Sequence, residues 1–269
     1  MSRLLSIDDP ADPRIEPFRA IRERDLKGHG GRFVIEGEVV LRVALRRGRF
    51  PVEAVLIAEN RVAPLADLIG AAPDSLPIHV APRPVLDAIA GFPMHRGVLA
   101  LGRRLPEPGL AAALGALPDQ ALVMALAGIA NHDNMGGLFR NAAAFGVDLV
   151  ILDETSCDPL YRKAIRVSAG AALTVPFVTG GSVETIADAL VDTGFAVVAT
   201  SPAGAGRLEE LVPEPRTAVL FGAEGPGLPK TVLAKLGTVR IAMAGGFDSL
   251  NVATASGIVL HNLAARRLR

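Results

Sequence analysis

The sequence predicts an α/β protein whose larger part is a mostly parallel sheet, and three observations support this class. Short apolar runs of strand length alternate with segments of helical spacing along most of the 269 residues. Several of these runs end in polar or glycine-rich turns, which are typical of the ligand-facing edge of such a sheet. Half of the residues are hydrophobic, so the chain can bury two modest cores.

The elements of residues 1–104 predict a small α/β domain. Asp12 to Lys27 has the pattern of a polar, arginine-rich helix that ends at a group of glycines. The strands predicted after it are residues 33–36, 52–57, 78–80 and 97–102, and the helices are residues 38–47 and 85–90. Three prolines and the lack of sustained alternation make residues 105–120 an interdomain linker with one helical turn.

Residues 121–269 predict the second domain. The apolar run 121–129 reads as a strand, and the polar turn Asn131–Asn134 and two glycines separate it from a helix at 138–145. Further strands are predicted at 147–152, 195–199, 217–221 and 238–243, and helices at 160–169 and 183–192. The apolar positions of a closing helix fall on one face, namely Val252, Ala255, Ile258, Val259 and Leu263.

The zero net charge conceals an uneven distribution of basic residues. Residues 1–104 carry a formal charge of +3 and the remainder carries −3. The early basic residues are Arg14, Arg19, Arg22, Arg24, Lys27, Arg32, Arg42, Arg46, Arg47 and Arg49. They fit two interpretations, solvated helix faces or a surface that contacts phosphates, because arginine presents a planar fork suited to phosphate. A nucleic-acid partner is therefore permitted.

Composition argues for a cytoplasmic protein without a membrane segment. Cys157 is the only cysteine, so a disulfide framework within the chain is excluded and a reducing compartment is expected. The N-terminus lacks an apolar leader, and the most apolar run, residues 121–130, is too short to span a bilayer.

Familiar nucleotide and metal motifs are missing. Gly222 to Gly227 has the glycine spacing of a phosphate loop, but Leu228 and Pro229 stand where lysine and serine or threonine are needed. No predicted strand leads into G-x-G-x-x-G, which disfavours a nicotinamide-dependent oxidoreductase. The five histidines show no metal-ligand spacing, so no metal site is predicted, and Cys157 is expected to be a core or loop thiol.

Three loops of small and amide residues remain as candidates for a binding site. They are N-H-D-N-M-G-G-L-F-R at 131–140, F-G-A-E-G-P-G-L-P at 221–229 and I-A-M-A-G-G-F-D-S-L-N-V at 241–252. Glycines allow backbone groups to approach a ligand closely, and such groups can recognise the edge of an adenine. A neutral base suits these loops better than a triphosphate does, although any single loop is also explained as an ordinary turn.

These three loops, in this order and spacing, resemble the ordered motifs of the SpoU/TrmH family of RNA 2′-O-ribose methyltransferases, a branch of the SPOUT class. The resemblance covers Leu122 to about Leu263, and C-D-P-L-Y-R-K-A-I-R-V-S-A-G-A at 157–171 is also similar to the family. F-V-I-E-G at 33–37 and H-R-G-V-L-A at 95–100 resemble its ribosomal-protein-like RNA-binding domain. The resemblance thus implies domains at 1–104 and 121–269.

The resemblance also implies a trefoil knot, a cofactor and a set of site residues. S-adenosylmethionine is expected in the knot, held by Gly222, Ile241 and Leu250. The catalytic and substrate-side positions of the family fall on Asn134, Arg140, Glu224, Ser249 and Asn251. A homodimer is implied, with part of each RNA site supplied across the interface.

Individual roles for these residues follow from chemistry and position. Guanidinium stays protonated, so Arg140 is interpreted as a stabiliser of the developing alkoxide and a clamp on phosphate, and the proton acceptor is left open. Asn134 is also interpreted as a helix cap, as are Ser249 and Asn251.

The chain departs from the usual family pattern at Ala242, Ala253 and Thr254, where proline, serine and valine are frequent. None of these changes removes a charged or catalytic group. The leading hypothesis is methylation of ribosomal or transfer RNA, with ribosomal RNA favoured. The competing hypothesis is a non-catalytic RNA-binding or ribosome-assembly protein on the same fold.

Overall fold

A computed structural model describes residues 4–19, 31–91, 94, 96–245 and 249–267. These residues form two compact units. The first comprises the described residues up to Pro106 together with Leu160–Thr174, and the second comprises Glu107–Pro159 and the described residues from Val175 onward. Each unit has its own sheet and its own apolar core.

Strands and helices alternate along most of the described chain. The strands are β1 (Leu4–Ser6), β2 (Arg32–Glu36), β3 (Val52–Ala58), β4 (Ile78–Ala81), β5 (Val98–Arg103), β6 (Ala121–Leu126), β7 (Leu149–Leu152), β8 (Phe177–Thr179), β9 (Ala196–Thr200), β10 (Gly206–Arg207), β11 (Arg216–Phe221) and β12 (Gly237–Arg240). The α-helices are α1 (Glu16–Arg19), α2 (Glu38–Arg47), α3 (Ala66–Ala71), α4 (Arg83–Ala90), α5 (Leu110–Gly115), α6 (His132–Ala144), α7 (Arg162–Val167), α8 (Val183–Asp192), α9 (Lys230–Lys235) and α10 (Val252–Arg267).

The first unit is built on a mixed sheet of order β1-β4-β3-β5-β2. β1, β4 and β3 run parallel, whereas β5 is antiparallel to its neighbours β3 and β2. Its core contains the fully buried side chains of Ile7, Phe18, Leu56 and Leu86. The four strands predicted here are confirmed, while the three-residue β1 was too short to be predicted.

Only the start of the predicted helix Asp12–Lys27 falls within the described residues. Asp12 accepts a hydrogen bond from the Arg14 backbone N–H and caps a 3-10 turn at Pro13–Ile15, which leads into α1. The continuation of this segment, with Arg22, Arg24 and Lys27, lies outside the described residues.

The segment Leu160–Thr174 packs with the first unit, although the sequence analysis placed it in the domain 121–269. The buried carboxylate of Glu36 in β2 lies 3.5 Å from Arg162 and 3.2 Å from Arg166 of α7. Burial of a carboxylate is costly without such partners, so these arginines fix the segment to β2. The predicted helix 160–169 is observed as the shorter helix Arg162–Val167, and a left-handed Gly170 follows it.

His79 of β4 gives the first unit a predictable dependence on pH. Its side chain is 4% exposed, and burial, together with the nearby Arg14, lowers its pKa below the ordinary 6.5. The unfolded chain therefore binds the proton more readily than the folded chain does, and stability present above about pH 6.5 is lost as the pH falls. We expect the urea midpoint to drop between pH 7.5 and pH 5.5, and the drop to be smaller in His79→Gln. Equal pH slopes in the two proteins would contradict this assignment.

The second unit is built on a sheet of order β10-β12-β9-β11-β6-β7-β8, and every described pairing in it is parallel. The predicted parallel sheet is thereby confirmed. The central strands β6 and β11 are nearly continuous apolar runs, as expected for strands covered on both faces. Residues 105–120 contribute α5, whose Leu114 is fully buried in this core, and the predicted linker belongs to the second unit from Glu107 onward.

The parallel arrangement brings the carboxyl ends of the strands to one edge. Phe221 at the end of β11 is the register partner of Leu126 at the end of β6. The loops that follow β6, β9, β11 and β12 therefore leave the sheet on the same side. The candidate loops 131–140 and 221–229 follow strands that end at this edge, and the candidate loop 241–252 begins there.

Neither a membrane-spanning helix nor a metal-binding cluster is found among the described residues. Each of the described helices is too short or too polar to serve as a membrane span. Within the same residues, no group of three or more histidine, cysteine, aspartate or glutamate side chains is placed to hold a metal ion.

Candidate active site

A cavity of about 450 Å³ opens at the carboxyl edge of the second sheet. One wall is the end of β9 (Thr200–Pro202), and a second is the loop after β11 (residues 221–228). The third wall is formed by the end of β12 with the residues that follow it, up to Met243, and by residues 249–252 at the start of α10. The predicted residues that line the cavity are Gly222, Glu224, Ile241, Ser249, Leu250 and Asn251. The structure thus brings most of the predicted site together around one cavity.

The loop after β11 makes one wall of the cavity largely from backbone. It folds back on itself through a bridge between Ala223 and Gly227. A Cβ atom at Gly222 would lie only 2.4 Å from the carbonyl carbon of Gly227 and from the backbone nitrogen of Leu228. No side chain fits at that separation, so glycine at 222 is required for the close return of the chain. Backbone groups are consequently presented to whatever occupies the cavity.

Asn134, Glu224 and Asn251 form a hydrogen-bonded triangle beside the cavity. The side-chain Nδ2 of Asn134 donates to Glu224 Oε1 at 2.5 Å. Asn251 Nδ2 donates to Asn134 Oδ1 at 2.8 Å and to Glu224 Oε1 at 3.1 Å. Residues that lie 90 and 117 positions from Asn134 in the sequence are thereby joined at one point. Among the described residues, the hydrogen bonds to the Glu224 carboxylate all end on Oε1, which leaves Oε2 open for another donor.

The position of Asn134 corrects its proposed role as a helix cap. Helix α6 begins at His132, six residues earlier than predicted, and Asn131 is the cap, since its side chain accepts from the Asp133 backbone N–H at 2.7 Å. Asn134 therefore lies inside the first turn, is 7% exposed, and points to Glu224. Gly136 and Gly137 looked like turn residues in the sequence but are helical.

Asn251 both caps a helix and joins the triangle. Its Oδ1 accepts from the backbone N–H groups of Ala253 at 2.9 Å and Thr254 at 3.2 Å, at the start of α10. Its Nδ2 faces Asn134 and Glu224. One side chain thus fixes the helix terminus relative to the cavity. Ser249, two residues earlier, is exposed and lines the cavity.

Helices α6 and α10 are held in close contact behind the triangle. A Cβ atom at Gly137 would lie 2.7 Å from that of Ala253, which explains the glycine in mid-helix. Asn141 Nδ2 donates to the Ala253 carbonyl at 2.6 Å and to Ser256 Oγ at 2.8 Å. Asn141 was not among the site residues predicted from the sequence. Its position seven residues after Asn134, on the same helix face, was the available signal.

Arg140 is the predicted site residue that the structure does not bring to the cavity. It is exposed on α6 and is not among the lining residues. Six residues of helix separate it from Asn134, a rotation of about 240° about the helix axis. Arg140 therefore points away from the triangle within its own chain.

The cavity wall after β9 and the cation beside it were also not predicted from the sequence. Thr200, Ser201 and Pro202 line the cavity together with Arg240 of β12. The guanidinium of Arg240 donates to the carbonyls of Gly204 at 2.5 Å and Ala205 at 2.8 Å. Arg240 therefore braces this wall. Its place at the end of a strand, directly before Ile241, was the only sequence signal for it.

Comparison with known sequences places the second unit in a recognised family. The sequence profile described as the SpoU rRNA Methylase family matches residues 121–261. An uncharacterized tRNA/rRNA methyltransferase of Mycobacterium bovis is 38% identical over 262 residues, which cover 94% of this chain and 89% of that protein. A similarly described protein of Mycolicibacterium smegmatis is 30% identical over 274 residues, covering 96% and 85%.

Solved structures show the same fold over nearly the whole chain. An AdoMet-bound rRNA methyltransferase from Sinorhizobium meliloti has a TM-score of 0.80 at 22% identity and covers 100% of both chains. The SpoU methyltransferase AviRb from Streptomyces viridochromogenes, in complex with AdoMet, has a TM-score of 0.79 at 22% identity and covers 96% and 98%. An RNA 2′-O ribose methyltransferase has a TM-score of 0.80 at 26% identity and covers 98% and 100%.

Proposed function

The chain belongs to the SpoU rRNA methylase family, and from this premise we propose that it transfers a methyl group from S-adenosylmethionine to a ribose 2′-hydroxyl of RNA. The observation that carries the proposal is the cavity at the sheet edge, with Glu224 held beside it by Asn134 and Asn251. The similarity to an RNA 2′-O ribose methyltransferase over 98% of this chain supports the choice of the ribose hydroxyl.

The cavity suits S-adenosylmethionine in size and in the character of its walls. About 450 Å³ is within the range of small-molecule sites, roughly 300–1,000 Å³. Ile241, Leu250 and Val252 supply apolar surface for an adenine ring, and the backbone beside Gly222 can hydrogen-bond to its edge. When bound, the cofactor supplies an electrophilic methyl group on a sulfonium sulfur. Two solved structures of this fold contain AdoMet, which supports the assignment.

Glu224 is the group we assign as proton acceptor. It is the one carboxylate among the described residues that line the cavity, and Asn134 and Asn251 fix its Oε1 and leave Oε2 open. Oε2 would take the proton of the 2′-hydroxyl as that oxygen bonds to the methyl carbon and the carbon–sulfur bond breaks. The products are the 2′-O-methyl ribose and the neutral thioether, so charge and atoms balance. Ser249, which lines the same cavity, would orient the ribose.

Arg140 fits the proposal as a residue supplied to the site of a second copy. Within one chain it points away from the triangle, yet a fixed positive charge near the reacting oxygen would stabilise the developing alkoxide and hold a neighbouring phosphate. A twofold dimer in which α6 faces its counterpart delivers each Arg140 to the opposite cavity. We therefore propose a homodimer with shared sites.

Mixing of two inactive variants tests the shared site. Arg140→Ala retains Glu224, and Glu224→Gln retains Arg140, so a mixed dimer contains one complete site if Arg140 acts across the interface. We expect each variant alone to be impaired and a co-refolded mixture to recover a substantial part of the wild-type activity. Activity of the mixture equal to the average of the two variants would place Arg140 in its own chain's site.

The first unit is proposed to bind the RNA substrate. Several of its basic residues are paired within the unit, including Arg32 with Glu53 and Arg42 with Glu38 and Asp67. Arg46 lies 3.8 Å from Asp67, but its side chain is 69% exposed and therefore remains accessible to phosphates. We favour ribosomal over transfer RNA because a separate RNA-binding domain suits a structured target, and we place the reaction in the cytoplasm.

The proposal extends to a trefoil knot in the second unit. The chain leaves β12, which is separated from β11 by β9, and α10 packs on α6, which follows β6 on the far side of β11. Arg240 at the end of β12 and Val252 at the start of α10 therefore lie on opposite sides of β11, and the glycine loop 222–229 follows the end of that strand. We propose that the chain passes through this loop, which would hold Ile241 and Leu250 against Gly222.

Transfer by the purified protein tests the proposed reaction. The protein is incubated with total RNA and methyl-labelled S-adenosylmethionine, and the RNA is digested to nucleosides. Label in 2′-O-methylnucleosides is the expected result. Label only on bases would contradict the ribose assignment, and RNA binding without any label would favour the non-catalytic RNA-binding alternative.

A further inference from the structure

A buried carboxylate outside the cavity holds the loop from which α6 begins. Asp153 directly follows β7 and is 7% exposed. Its Oδ1 accepts from the backbone N–H of Gly128 at 3.0 Å and from Ser156 Oγ at 2.6 Å, and its Oδ2 accepts from Thr155 Oγ1 at 2.7 Å. A buried carboxylate is tolerated only with such donors, so its position is tightly defined.

The neighbouring residues extend this bracing to Ile129. Ser156 Oγ accepts from the Ile129 backbone N–H at 3.0 Å, and the Cys157 backbone N–H donates to the Ile129 carbonyl at 2.8 Å. Gly128 and Ile129 are thus tied by three hydrogen bonds to the segment 153–157. The loop between β6 and α6 therefore has little freedom to move away from β7.

The braced loop touches both sides of the Asn134–Glu224 contact. Gly128 has φ of +69°, and a Cβ atom placed on it would lie 3.1 Å from the side chain of Ala223, the residue before Glu224. On the other side the loop runs directly into Asn131, the cap of the helix that carries Asn134. Displacement of Gly128 would therefore shift the first turn of α6, and with it Asn134, relative to Glu224 in the glycine loop.

We propose that Asp153 is a positioning residue for methyl transfer, acting through Gly128 and Ile129 to set the distance between Asn134 and Glu224. This inference rests on the proposed function. Asp153 and the loop it braces do not line the cavity, so the role differs from cofactor binding. Misplacement of reacting groups by about 1 Å can cost about 10²-fold in rate, which makes such bracing consequential.

Three variants separate positioning from general stability. Asp153→Ala removes the acceptor for Gly128 and Ser156, and Asp153→Asn keeps an oxygen at that place. Thr155→Val is the matched control, because among the described residues its hydroxyl bonds to Asp153 Oδ2, the oxygen that does not contact the loop. We expect kcat to fall by about 10²-fold in Asp153→Ala and only a few-fold in Asp153→Asn. Thr155→Val is expected to match wild type, and all three are expected to bind S-adenosylmethionine with unchanged affinity.

If Asp153→Ala folds poorly, two further measurements test whether Asp153 has the positioning role. Ser156→Ala removes the acceptor for Ile129 while Asp153 stays in place, and should give a smaller fall in kcat. In an Asn134→Ala background, adding Asp153→Ala or Ser156→Ala should lower kcat little further, because both act through Asn134. Hydrogen exchange at the Gly128 and Ile129 amides should accelerate in Asp153→Ala or Ser156→Ala and not in Thr155→Val.

Wild-type kcat in folded Asp153→Ala and Ser156→Ala, full additivity of either with Asn134→Ala, or unchanged exchange at Gly128 and Ile129 in both overturns the positioning role. A wild-type protein that transfers no methyl group overturns the proposed function instead, and the exchange measurement still decides whether Asp153 holds the loop.

Discussion

Replacement of Glu224 by glutamine is expected to lower the rate of methyl transfer by about 10²–10⁴-fold, the usual range for loss of a general base. Glutamine is nearly isosteric, and its Oε1 can still accept from Asn134 and Asn251, so the triangle is preserved. What is lost is the second oxygen, which would take the proton from the ribose hydroxyl. Single-turnover transfer at saturating cofactor measures the effect.

The matched control for this variant is Glu214→Gln, an exposed glutamate outside the cavity lining, which should leave the rate unchanged. Calorimetry should show that Glu224→Gln binds S-adenosylmethionine as wild type does. In Glu224→Ala, added acetate or formate should restore part of the activity by supplying a carboxylate. A wild-type rate in Glu224→Gln would remove Glu224 as proton acceptor.

Substitution of Gly222 by alanine is expected to weaken the binding of S-adenosylmethionine by about 5- to 150-fold. The new Cβ atom would lie 2.4 Å from the backbone of Gly227 and Leu228, so the loop must open. Forced overpacking typically costs about 1–3 kcal/mol, and 1.4 kcal/mol corresponds to tenfold in affinity. Isothermal titration calorimetry measures the change.

Gly237→Ala is the control for the Gly222 variant, because no atom of the described part of the chain lies within 4 Å of a Cβ atom at that position. Its affinity for the cofactor should equal that of wild type. If Gly222→Ala binds as tightly as Gly237→Ala, the glycine loop is not the cofactor wall. If the wild-type protein itself does not bind S-adenosylmethionine, the cofactor assignment is wrong.

The parallel sheet was predictable because its central strands are nearly pure apolar runs between glycine-rich turns. The start of α6 was not, since Gly136 and Gly137 have poor intrinsic helix propensity. Their place in the helix follows from the tertiary contact of Gly137 with Ala253, more than a hundred residues away. For the same reason, Asn131 rather than Asn134 proved to be the cap.

The candidate site was partly predictable, because the motifs that resemble the family are local in sequence. Glu224 and Asn251 could be named, but their hydrogen bonds to one another and to Asn134 depend on the order of strands in the sheet. The attachment of residues 160–174 to the first unit rests on Glu36 and two arginines far along the chain, a pairing that no periodicity reveals. Arg240 and Asp153 were missed because each acts on the backbone of another loop.

The central claim, methylation of a ribose in cellular RNA, is tested most directly by a transcriptome-wide map of resistance to alkaline cleavage. Cells that lack the protein are compared with cells that carry the wild type and with cells that carry Glu224→Gln. The account predicts that at least one protected position disappears without the protein, returns with the wild type, and stays absent with Glu224→Gln. Identical maps in all three strains would contradict it.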